Sequence, residues 1–115
     1  MQYALLIYQG KAWEGISSLS DDEKKAIGAE YGAVNSTPGV TPGLPLGLPD
    51  DATTVRVQGG STVTNDGPAI DAEGAVGGYV VFEADNLDDA IQLASRIPAA
   101  RLGGAVEIRP VGAYW

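Results

Sequence analysis

Asp66, Asp71 and Glu73 fall within a single stretch of eight residues. Carboxylates gathered this closely are the raw material of acid–base chemistry, because like charges held together keep one proton between them and leave one group to donate while another accepts. On this reading Asp66 and Asp71 are the expected catalytic pair and Glu73 an expected ligand contact. Each has a plainer role as well. Asp66 precedes Gly67-Pro68, where an aspartate opens a turn by accepting from backbone amides two residues on, and Asp71 and Glu73 also suit a solvated acidic loop. Tyr8 and Trp13 are expected to border a pocket between a sheet and a helix. Tyr79, just after the pair Gly77-Gly78, is a further candidate ligand contact, and Arg109, with Arg56, offers positive charge to an anionic group.

Residues that are missing narrow the chemistry further. With no histidine and no cysteine, a general base near neutrality must be a carboxylate, lysine or tyrosine, and thiolate catalysis and cysteine-based metal sites are excluded. The acidic spacing does not follow a calcium loop, and no G-x-G-x-x-G opens a helix. Neither a metal nor a cofactor is expected. Fifteen acids against seven bases give a net charge of −8, which opposes binding to a phosphate backbone, so no nucleic-acid partner is expected. The apolar start, Tyr3 to Tyr8, lacks a basic lead-in and is too short for a leader or a membrane span, which predicts a cytoplasmic protein without a membrane partner. A length of 115 residues, 44% of them apolar, suits one folded domain over 1–115.

The elements that must hold these residues follow from periodicity. Tyr3 to Tyr8 is apolar on both alternating faces, as in a central strand. A loop carrying Lys11 and Trp13 follows, and Ser20-Asp21-Asp22-Glu23 is a capping box for a helix to about Val34. Ser36 to Asp51 is rich in proline and glycine, leaving room for at most a short edge strand near Val40 or Leu44 to Leu48. Thr53 to Val57 and Ser61 to Thr64 read as a hairpin. A three-residue loop over Gln58 to Gly60 would pair Val55 with Val63 and is the preferred register. Gly77-Gly78 predicts a close approach of chain to chain. Gly78 to Ala84 is again apolar on both faces. Asn86 caps a helix whose apolar positions Leu87, Ala90, Ile91 and Ala94 have helical spacing. In the last strand, Ala105 to Val111, Val106 and Ile108 point inward and Pro110 suits an edge.

Strand, helix, an irregular connection plus hairpin, strand, helix, strand is, with an extra hairpin, the βαββαβ, ferredoxin-like pattern of an α+β domain. Two helices cover one face of such a sheet. The two-faced apolar strands therefore call for a second copy, and a homodimer packed sheet to sheet is expected.

The run Thr53-Thr54-Val55-Arg56-Val57, Asp66-Gly67-Pro68, Gly77-Gly78-Tyr79, Leu87-Asp88-Asp89-Ala90-Ile91, Ile97-Pro98-Ala99-Ala100-Arg101 and Val106-Glu107-Ile108-Arg109-Pro110-Val111 resembles the YCII-related proteins of the DGPF type from Met1 to Val111. The resemblance implies a bacterial protein with a dimeric α/β barrel, an architecture shared with small monooxygenases and muconolactone isomerase, in a family whose members mostly lack an assigned activity. Many relatives are similar to proteins encoded beside extracytoplasmic-function sigma factors, and a few have hydrolase or dehalogenase-like chemistry on small cyclic substrates. The family's D-G-P-F-A-E-T-K-E stretch departs here at Ala69, Asp71, Glu73 and Gly74. Asp66 carries over directly and Asp71 keeps the charge of the first glutamate, whereas the His–Asp pair of enzymatic relatives has no histidine here. The leading expectation is a homodimer binding a small, partly apolar molecule in a cleft beside Asp66. The alternatives are a cofactor-independent hydrolase, lyase or isomerase acting through Asp66 and Asp71, and a regulatory module of a sigma-factor system.

Overall fold

The computed structural model describes residues 1–71 and 74–112, the side chains of Trp13 and Glu14 excepted. The first apolar run forms β1 (Gln2–Tyr8). The stretch expected to be an open loop instead contains a single helical turn, α1 (Ala12–Ile16). Just before it the chain passes close to Gly104, where a Cβ would fall 2.1 Å from the Tyr8 carbonyl oxygen. The capping box then starts α2 (Asp21–Asn35): Ser20 Oγ accepts from the Glu23 amide at 3.1 Å and Glu23 Oε1 accepts from the Ser20 amide at 3.3 Å.

A short strand, β2 (Val40–Pro42), is followed by an extended segment to the 3-10 turn at Pro49–Asp51. The hairpin is β3 (Thr53–Gln58) and β4 (Ser61–Asp66). Then come β5 (Val76–Glu83), α2's companion helix α3 (Leu87–Ser95), capped by Asn86 Oδ1 accepting from the Asp89 amide, and the closing β6 (Ala105–Pro110).

Four strands form one antiparallel sheet in the order β2-β5-β1-β6. That is the ferredoxin-like α+β arrangement, with the two-faced strands in the middle and Pro110 on an edge. In the register, Leu5 lies opposite Val80 and Ile108, and Ile7 opposite Gly78 and Val106. Tyr3, Leu5, Ile7 and Val80 therefore share the face on which the helices pack. They meet Val34 of α2, Ala90, Leu93 and Ala94 of α3, and Ile97 and Ala99 beyond it. In α3 the buried stripe is Ala90-Leu93-Ala94, while Leu87 and Ile91 are half exposed. Two apolar stripes overlap at Ala90 and Ala94, and the one that continues into the buried turn at Ile97, Pro98 and Ala99 faces the core.

The hairpin departs from the expected register. Gln58 pairs with Ser61 and Arg56 with Val63, across a two-residue turn in which Gly59 and Gly60 have φ of 56° and 79°. Two left-handed residues make a turn whose twist matches that of the flanking strands. The valine pairing of the alternative register has nothing to recommend it here, because β3 and β4 form a separate two-stranded sheet and Val55 and Val57 stay exposed. The chain is accordingly extended. Its radius of gyration is 15.9 Å, against about 13 Å for a compact chain of this length.

Candidate functional site

The glycines at 77 and 78 draw two segments together. Between Ile7 and Tyr8 the pairing of β1 with β5 slips by a residue, from Ile7↔Gly78 to Tyr8↔Val76, leaving Gly77 as a bulge. Bulges re-aim neighbouring side chains, and here the beneficiary is Gln9, whose stem lies against Gly77. On the other side, the segment after β2 runs along β5, held by the Leu46 amide donating to the Gly77 carbonyl at 3.1 Å. Gly43 is required there, since a Cβ would fall 2.1 Å from the Tyr79 carbonyl oxygen and 2.8 Å from its ring.

Between this segment, the sheet and α2 lies a pocket of about 240 Å³, lined by Ile7, Gln9, Tyr31, Asn35, Gly43, Leu44, Pro45, Gly77, Gly78, Tyr79 and Val80. Its walls are mostly apolar, with the amides of Gln9 and Asn35 and the Tyr31 hydroxyl as polar side-chain groups, and none of these lining side chains is charged. Gln9 Nε2 donates to the Tyr31 hydroxyl at 3.5 Å. Gln9 Oε1 is buried and receives no hydrogen bond.

A second, shallower cleft of about 430 Å³ opens beyond Leu46, bounded by Leu46 to Pro49, Asp51, Ala52, Pro68 to Ile70, Ala75 and Val76. It adjoins the turn that contains Asp66, but the Asp66 side chain does not line it. Asp66 is exposed at the end of β4, opposite Thr53. The turn is held by backbone and by Thr54: the Gly67 amide donates to the Ala52 carbonyl at 2.7 Å, and Thr54 Oγ1 donates to the Gly67 carbonyl at 2.8 Å. Asp71 is exposed and lines neither cleft, and Glu73 lies outside the described residues.

The remaining expected contacts are dispersed. Tyr79 borders the pocket and its ring lies close to Gly43, while the alternation of β5 turns its side chain to the face without helices. Tyr8 lines a separate hollow with Gly10, Lys11, Gly103, Gly104 and Ala105. Trp13 belongs to α1, with its side chain outside the described residues. Arg109 sits on the face of the sheet away from the helices, opposite Ala4, and Arg56 Nη2 donates to the Ala69 carbonyl at 3.5 Å. Among the described residues, the expected contacts therefore do not converge on one site. Gln9, Tyr31 and Asn35, which do converge, were not candidates in the sequence. Their signal was faint: a polar residue directly after a two-faced apolar strand, opposite a glycine pair.

An α+β, ferredoxin-like domain with a small pocket between its sheet and its longest helix is the class of protein that this geometry defines. The chain matches the YCII-related domain over residues 1–113, and it belongs to that family. Comparison with curated proteins found no match. Among the described residues, no helix is long and apolar enough to cross a membrane.

Proposed function

We propose that the protein works as a cytoplasmic homodimer that binds a small, partly apolar molecule. The observation that carries the reading is the pocket of about 240 Å³. Apolar walls with a few converging polar groups are the usual form of a small-molecule site, and this one lies between β1, β5, α2 and the segment after β2. Among the described residues, the cleft beside the Asp66 turn has one ionisable side chain on its rim, Asp51.

The homodimer rests on the other face of the sheet. Ala4, Leu6 and Tyr8 of β1 alternate onto that face with Tyr79 and Val81 of β5. The hairpin forms a sheet of its own, and the chain is 18 Å thick along its shortest axis. An uncovered apolar sheet face of this kind suits a two-fold partner.

Native mass spectrometry of protein purified gently from cells tests both parts. A dimer with added small-molecule mass is expected. A monomer at micromolar concentration rejects the assembly. The binding reading fails if small neutral compounds leave the resonances of Gln9, Tyr31 and Asn35 unmoved in a nitrogen–proton NMR titration.

A further inference from the structure

Resting on the reading of this pocket as a small-molecule site, we infer that its ligand is a neutral molecule carrying an N–H or O–H donor, which Gln9 Oε1 receives. Three observations lead there. First, a buried acceptor left without a hydrogen bond is uncommon and unfavourable, and among the described residues Gln9 Oε1 is the side-chain atom in that condition. The oxygen is buried and, among the described residues, no protein group donates to it.

Second, the amide is free to answer a ligand. Its terminal torsion is broad and roughly two-fold, and its bond to Tyr31, at 3.5 Å, lies at the far limit of hydrogen-bond length. The stem packs close to Gly77, and a turn about the terminal bond brings the oxygen to the side of Tyr31, a pocket-lining residue, without moving the backbone.

Third, the surroundings select against charge and size. Among the described residues, no charged side chain lines the pocket, and the chain as a whole carries a net charge of −8, which disfavours an anion. A pocket of about 240 Å³ has room for one small ring or a short branched chain.

Phenol and anisole titrated into the whole protein, followed by the backbone and side-chain amide resonances, test the inference. Phenol has the donor; anisole keeps the ring and the oxygen but lacks it. Phenol is expected to bind about fivefold more tightly, the size of one ordinary hydrogen bond, with shifts in the Gln9 side-chain amide signals, and the preference should vanish in Gln9→Leu. Equal affinity of the two probes for this pocket overturns the donor inference and leaves the binding reading standing. Tighter binding of cyclohexanone, an acceptor without a donor, than of phenol also overturns it. If none of the three perturbs the pocket, the binding reading itself fails, and the inference falls with it. The wild-type comparison decides the matter even where Gln9→Leu folds poorly.

Discussion

Cγ of Gln9 lies so near the bare α-carbon of Gly77 that a methyl group at position 77 would fall 2.8 Å from it. The contact couples a strand bulge to the polar end of the pocket. Gly77→Ala should therefore cost about 1–3 kcal/mol, the usual range for overpacking, and displace the Gln9 side chain. Urea unfolding reads the first effect and a phenol titration the second. Unchanged stability together with unchanged Gln9 amide signals would show that the contact has no such role.

Leu6 and Tyr79 face each other across β1 and β5, on the side of the sheet without helices. A lysine at Leu6 would be solvated in a monomer but buried against a partner in the proposed dimer, where an unpaired charge is costly. Leu6→Lys should give monomers by analytical ultracentrifugation with secondary structure retained by circular dichroism. A dimer of unchanged affinity would place the interface elsewhere.

At the tip of the hairpin, Gly59 has φ of 56° and no atom within 4 Å of where a Cβ would stand. Conformation alone, then, decides what is tolerated. Asparagine accepts left-handed backbone and a β-branched residue does not. Gly59→Asn should leave stability within about 0.5 kcal/mol, whereas Gly59→Val should loosen the hairpin and speed amide exchange across β3 and β4. Similar exchange in both variants would contradict the two-residue turn.

Asp66 is exposed, and its carboxylate lines neither cleft. Because backbone bonds and Thr54 hold the turn, Asp66→Asn should change stability by less than about 0.5 kcal/mol and leave phenol binding intact. Thr54→Val removes the hydroxyl that donates to the Gly67 carbonyl at 2.8 Å, and should cost about 0.5–1.5 kcal/mol. If the order is reversed in thermal unfolding, the carboxylate, rather than the threonine, secures the turn.

Local chemistry is what the sequence by itself determined. The capping box at Ser20 and Glu23, the Asn86 cap, the two-faced strands and the edge position of Pro110 depend on neighbouring residues and alternation, and all were legible in one dimension. The close approach at Gly77-Gly78 was legible too, because two bare α-carbons leading into an aromatic strand leave room for a neighbouring segment to pack directly on the backbone. Choices between near-equal local options were left to the tertiary structure. The two stripes of α3 differ only in what they meet, and the buried turn after it selects Leu93 over Ile91. The hairpin register had two plausible solutions, and the exposure of the hairpin removed the burial that would have favoured pairing Val55 with Val63. The pocket lay furthest from view. Gln9, Tyr31, Gly43 and Gly77 are spread over most of the chain, and only a one-residue slip between β1 and β5, with a segment pinned at Gly77, brings them together. A cluster of acids is visible along the chain, whereas a buried amide oxygen without a partner exists only once the chain has closed around it.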